Sequence, residues 1–313
     1  MGGGRGGLAG GCAVLGEGQH PGQWQSPSLP EGGIGTGSKA LGGGSRPPPP
    51  GQRRGEGIIV VGRQGMKGRA LLVLGLSVLL RAGSLSGSPK ESPQTVSFIT
   101  LDGVSIVGTW YPPPRSPAPA VLLLHMFGGE RGDWEGFAPR LQEAGYGALA
   151  IDLRGHGESR RQGGQFLDYR QMGENEFKDI LYDVEAAWDF LEACPSVDSR
   201  RIGIIGAELG ANQALRFAAQ KVDVKTLVLL SPRWEYRGVG VEREVLRYGE
   251  RPMFIAASLD DAPSASASRR LEGIAKGKRK LKLYERAGIG IQMLSKVPDL
   301  SALILDWLKE TLG

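Results

Sequence analysis

From Thr95 to the C terminus, short continuous apolar runs alternate with stretches of helical period, and this alternation most narrows the folds open to the chain. Apolar runs at residues 121–125, 147–153, 202–205, 224–230, 253–257 and 281–284 read as strands covered on both faces. Between them, residues 134–144, 211–219 and 300–312 read as helices. Phe177, Ile180, Leu181, Val184, Trp188 and Leu191 mark the apolar face of another helix. Strands separated by helices imply a mostly parallel sheet with helices on both faces. Residues 95–101 and 104–111 flank Asp102-Gly103 and predict an antiparallel hairpin at its start.

The first 88 residues differ in kind. Residues 1–65 hold 22 of the 50 glycines and the run Pro47–Pro50, with no long apolar stretch. Such a segment cannot bury enough apolar surface to offset its ordering entropy, so disorder is expected. Residues 1–88 carry a net +6 and residues 89–313 a net −1, which together give the +5 of the whole chain. The basic charge therefore belongs to the tail, and the folded part has no excess for nucleic acid. Met66 is followed by Lys67 and Arg69, an apolar run over residues 70–80, and then small residues to Ser88. This is the order of a secretory signal peptide, too short for a stable membrane anchor. Translation from Met66 and export to the periplasm or medium are the expectation. A native mature N terminus within residues 1–65 would overturn it. Cys12 and Cys194 are the only cysteines, and with Cys12 in the tail no structural disulfide is expected. Metal-ligand spacing and cofactor fingerprints are absent, so neither a metal nor a cofactor is expected.

Three motifs stand in order along residues 95–313. They are Leu123-Leu-His-Met-Phe-Gly-Gly129 with Trp134, Asp152-Leu-Arg-Gly-His-Gly-Glu-Ser159, and Arg201-Ile-Gly-Ile-Ile-Gly-Ala-Glu-Leu-Gly-Ala-Asn212, which contains the turn Gly206-Ala-Glu-Leu-Gly210. Together they resemble the α/β-hydrolase superfamily, near its dienelactone hydrolase-like and small bacterial esterase branch. The resemblance implies the α/β-hydrolase fold over residues 89–313, with no large lid domain. It also implies a nucleophile on a sharp strand-to-helix turn, Gly-x-Ser-x-Gly, followed by an acid and a histidine base.

Here the family pattern breaks. Glu208 stands at the nucleophile position. Asp261, or its neighbour Asp260, takes the acid position. Ile289, between Gly288 and Gly290, takes the place of the base. The other histidines, His20, His125 and His156, fall elsewhere, and His156 reads as a loop-packing residue. Backbone N–H groups of Leu209 and of Met126 or Phe127 should still form an oxyanion hole. Glu208 is expected to fold its carboxylate into that hole, with hydrogen bonds lowering its pKa. The sequence thus reads as an inactive hydrolase-family protein that binds a small molecule or a partner in the old cleft. The alternative is an active hydrolase of small esters or lactones that uses Glu208. Oligomeric state and ligand identity are not legible.

Overall fold

The structure, a computed structural model, describes residues 91–313. The readings of a tail over 1–65 and a signal-like segment over 66–88 lie outside the described residues.

The chain opens with an antiparallel hairpin, β1 (Gln94–Ile99) and β2 (Val104–Tyr111). The first strand stops two residues earlier than its apolar pattern suggests, and Gly103 N–H closes the turn on the Thr100 carbonyl at 2.9 Å. β3 (Ala118–Leu124) follows, with every residue buried, as its unbroken apolar run requires. The helix expected over 134–144 is divided. A 3₁₀ turn covers Arg131–Trp134, and α1 (Ala138–Glu143) starts afresh with Pro139 in its first turn. Proline is favoured there because its missing N–H would be unpaired anyway. Next come β4 (Gly147–Ile151), the two-residue strands β5 (Arg161–Gln162) and β6 (Gln165–Phe166), and α2 (Glu174–Ala193). β7 (Val197–Ala207) leads straight into α3 (Leu209–Ala218). β8 (Leu227–Leu230) is followed by a small hairpin, β9 (Glu235–Tyr236) and β10 (Val239–Gly240), and by α4 (Glu242–Tyr248). β11 (Met253–Ser258), α5 (Ala262–Ile274), β12 (Arg279–Tyr284), α6 (Gln292–Lys296) and α7 (Leu300–Leu312) close the chain.

The main sheet runs β12-β11-β8-β7-β3-β4-β2-β5-β6, with β1 attached to β2. The neighbours from β12 to β4 pair in parallel, and β2 pairs antiparallel to β4. Period-two alternation splits the core into two layers. Leu122 and Leu124 point to the side of α2, α3, α4 and α5, while Val121 and Leu123 point to the side of α1, α6 and α7. The predicted face of α2 is buried through Phe177, Ile180, Val184, Trp188 and Leu191, whereas Leu181 packs at its margin. Asp183 is also buried there, where it accepts from the Arg154 guanidinium at 2.8 Å. Arg154 reaches on to Asp102 at 2.7 Å and so ties the loop after β4 to the first hairpin. Among the described residues, no helix is long and apolar enough to cross a membrane.

Candidate active site

Parallel strands deliver their following loops to one end of the sheet, and the motif residues converge there. Glu208 occupies the turn between β7 and α3 with φ +46° and ψ −104°, a conformation that L-residues rarely hold. Two glycines make this turn possible. A Cβ on Gly206 would lie 2.2 Å from the Gly210 carbonyl oxygen, and one on Gly210 would lie 2.3 Å from the Leu124 oxygen. Glu208 N–H donates to the Leu230 carbonyl at 2.8 Å, fixing the turn to β8. The elbow geometry is complete, with a carboxylate where the family pattern has a hydroxyl.

That carboxylate is turned inward, and Glu208 is 6% exposed. Its Oε2 accepts the Phe127 N–H at 3.3 Å, so Phe127 rather than Met126 presents a donor to the elbow. Leu209 N–H makes no hydrogen bond to Glu208, so the carboxylate engages one of the two expected donors. The Glu208 pKa is raised rather than lowered. Burial outweighs the Arg233 charge and the Phe127 hydrogen bond, and Asp261 adds repulsion.

Arg233 was not anticipated. Its Nη2 lies 3.4 Å from Glu208 Oε1 and its Nη1 lies 3.1 Å from Asp261 Oδ1. One guanidinium therefore bridges the two carboxylates at the positions expected for nucleophile and acid. Its backbone N–H donates to Asn212 Oδ1 at 3.0 Å, which anchors the loop after β8 on α3. The neighbouring acids separate cleanly. Asp261 is 7% exposed, and its buried Oδ2 has no hydrogen-bond partner. Asp260 is exposed and holds the Arg286 N–H at 3.0 Å.

Ile289 lies in the loop between β12 and α6, flanked by Gly288 at φ +75° and Gly290 at φ +56°. A Cβ on Gly290 would meet Ala207 Cβ at 3.3 Å and Met126 Sδ at 3.4 Å, which places this loop against the elbow. Gly290 N–H donates to Ser231 Oγ at 2.9 Å. Neither described histidine serves Glu208 or Asp261. His125 contacts the Met126 carbonyl through Nδ1 at 2.7 Å and accepts the Leu153 N–H on Nε2 at 3.0 Å. His156 contacts the Arg154 carbonyl through Nδ1 at 3.0 Å and stacks on Tyr169 at 4.2 Å between centroids. Burial holds both imidazoles neutral, with His125 assisting in pushing His156 down to about 3. Asp152 accepts the backbone N–H groups of Arg131 and Glu158 at 2.6 and 2.9 Å, and also pairs with the Arg131 side chain. The Asp152–Ser159 motif is therefore an architectural clamp. Among the described residues, no group of His, Cys, Asp or Glu is placed to hold a metal ion.

The β9–β10 hairpin leans over this site. The Arg237 guanidinium sits 3.7 Å from the centroid of the Phe127 ring, and Phe127 packs on Tyr169 and Tyr236 at 5.0 and 6.3 Å. Beside the elbow, a cavity of about 490 Å³ opens between the loop after β3 and α6. Neither Glu208, Arg233 nor Asp261 lines it.

A parallel sheet covered on both faces, a strained strand-to-helix elbow and a facing backbone donor define the α/β-hydrolase class of fold. The comparisons agree. A family model described as alpha/beta hydrolase fold matches residues 119–247. The chain has the α/β-hydrolase fold, and its residues 119–247 are similar to the family of that name. It is 28% identical over 170 residues to the putative hydrolase YtaP of Bacillus subtilis, covering 49% of this chain and 57% of that protein. It is 32% identical over 106 residues to epoxide hydrolase B of Mycobacterium tuberculosis, covering 34% of this chain and 26% of that one. The chain thus matches a little over half the length of the first relative and about a quarter of the second. Among solved structures, it resembles a dienelactone hydrolase from Anabaena variabilis with a TM-score of 0.56 and 21% identity, over 71% of this chain and 100% of that one. An esterase from Pyrococcus furiosus gives a TM-score of 0.57 and 20% identity, over 71% and 92%.

Proposed function

We propose that this chain is a non-catalytic α/β-hydrolase that binds a small molecule in the cleft of its former active site. One observation carries the reading: Arg233 binds both Glu208 and Asp261, while Ile289 stands at the base position. Acyl transfer needs a nucleophile that can lose a proton and a base within hydrogen-bond reach of it. Glu208 is engaged in an ion pair, and the two described histidines are committed to backbone groups elsewhere.

A second reading rests on the strained backbone at Glu208, since strain of this kind clusters at working sites. In that reading the carboxylate attacks the carbonyl carbon of a small ester or lactone, the acyl C–O bond breaks, the alkoxide takes a proton from water as it leaves, and an anhydride remains at the elbow. Water must then cleave it, and no base stands ready to activate that water. The test is hydrolysis of short activated esters by the full chain, with Glu208→Ala alongside. Both proteins should match the buffer rate. A rate well above buffer that vanishes in Glu208→Ala would establish the second reading and end the first.

A further inference from the structure

We propose that the rings of Phe127, Phe177 and Tyr236 form a cage for the quaternary ammonium group of a small ligand, and that Arg237 is its resident occupant in the free chain. The inference rests on the ligand-binding reading given above and names a chemical class for that ligand. The rings surround one point. Phe127 meets Tyr236 at 81° with centroids 6.3 Å apart, and Phe177 at 56° with centroids 5.9 Å apart. The Arg237 Cζ lies 3.7 Å from the Phe127 centroid, 5.1 Å from that of Phe177 and 5.6 Å from that of Tyr236. Each falls within the about 6 Å over which a ring face attracts a cation. Among the described residues, no other cation lies over Phe127 or Phe177. Arg233, 5.9 Å from the Tyr236 centroid, is bound to Glu208 and Asp261. Because the Phe127 N–H donates to Glu208, a ligand over this ring lies next to the elbow.

Arg237 is exposed, and it makes no ion pair or side-chain hydrogen bond among the described residues. The ring faces alone match its charge. The carboxylates at the hairpin turn are engaged elsewhere: Glu235 Oε1 accepts the Gly238 N–H at 2.7 Å, and Glu174, which packs against Gly238, pairs with Lys178 at 3.6 Å. The backbone gives an independent sign. Arg237 and Gly238 join β9 to β10 with φ +51° and +78°, a two-residue turn whose first position favours Asn, Asp or Gly. An arginine held there against backbone preference points to its side chain as the reason. An exposed cation held only by rings exchanges readily, since such a contact contributes only about two- to fivefold in affinity. Ring faces attract a diffuse, weakly hydrated charge. A quaternary ammonium has no N–H donor to satisfy, whereas a primary ammonium brings three and finds the nearby carboxylates taken.

The test is ligand-observed NMR titration of the full chain with tetramethylammonium and, separately, with methylammonium and with tert-butanol, an uncharged group of nearly the same shape. Tetramethylammonium should bind at least about tenfold more tightly than either. Arg237→Gln removes the resident cation and should raise tetramethylammonium affinity by about two- to fivefold. In that background Phe127→Leu, which keeps the backbone N–H, should lower the affinity by at least about fivefold, with the melting temperature confirming that the chain is folded. Should Phe127→Leu fail to fold, Tyr236→Leu removes another wall, on the surface hairpin, and should give the same loss. Equal affinity for tetramethylammonium and tert-butanol, or an affinity unchanged or lowered in Arg237→Gln, would overturn the cage. Ester hydrolysis by the same preparation reports on Glu208 separately, so an empty cage and a mistaken reading of the elbow are distinguishable.

Discussion

The double variant Glu208→Ser/Ile289→His is expected to hydrolyse short activated esters at least about 100-fold faster than the wild-type chain, the lower end of what a placed general base contributes. The framework for this is already built. The elbow holds residue 208 at φ +46°, and the glycines that permit it are packed against neighbouring backbone. The Phe127 N–H points at residue 208, and removing the glutamate frees it for a developing oxyanion. Residue 289 lies in a loop that touches Ala207 and Met126 through Gly290. Asp261 Oδ2 is buried and without a partner, while Arg233 holds only Oδ1. That free oxygen suits the N–H of an imidazole at position 289. The serine proton would pass to the imidazole and then to the leaving alcohol. Each single variant lacks one member and should stay near background. The measurement is hydrolysis of p-nitrophenyl acetate together with fluorophosphonate labelling, read by mass at residue 208. A folded double variant that neither labels nor exceeds the wild-type rate would show that the base position has been assigned wrongly.

Arg233→Met is expected to destabilise the fold by about 3 kcal/mol at pH 8, because it leaves two buried carboxylates without their shared cation. The deficit should shrink in acid. Glu208 binds its proton more tightly in the folded chain than at the ordinary carboxyl value of 4.5. The stability contributed by its protonated form is therefore complete below pH 4.5 and is lost as pH rises through the folded value. Removing the arginine raises that folded value further, so the variant loses most where Glu208 must ionise. Urea unfolding at pH 5 and pH 8 measures both terms. Glu208→Gln added to Arg233→Met should recover part of the loss at pH 8. Equal stability of wild type and Arg233→Met at both values would mean that the bridge carries no net energy.

Much of this architecture is legible in the sequence, and the divide follows the range of the interaction. The apolar run of β3 and the glycines of the elbow report local requirements, double burial in one case and backbone contact in the other. Gly206 and Gly210 can be read without knowing what surrounds them. α5 was missed because its Ala-Ser-Ala-Ser stretch has no large apolar residue to set a helical period. The β9–β10 hairpin has only two residues per strand, too few to show alternation. Arg233 was missed because its role depends on Glu208 and Asp261, distant in the chain and adjacent only in the fold. One signal was available: Arg233 stands just beyond the end of β8, where a parallel sheet gathers its functional loops. The raised pKa of Glu208 also needed the structure, because hydrogen bonding and burial act in opposite directions and only coordinates show which prevails.

The contacts of Ser231 carry a broader consequence. Its N–H bonds the Ala256 carbonyl at 2.7 Å, its carbonyl takes the Ser264 hydroxyl at 3.1 Å, and its Oγ receives Gly290 N–H at 2.9 Å. The loop carrying residue 289 is thereby pinned from outside, through its neighbour's backbone. Position 289 behaves as a socket whose location is decided separately from its occupant. Exchanging the side chain at 289 leaves that fixture undisturbed, so the place offered to a group there is set independently of the group that fills it.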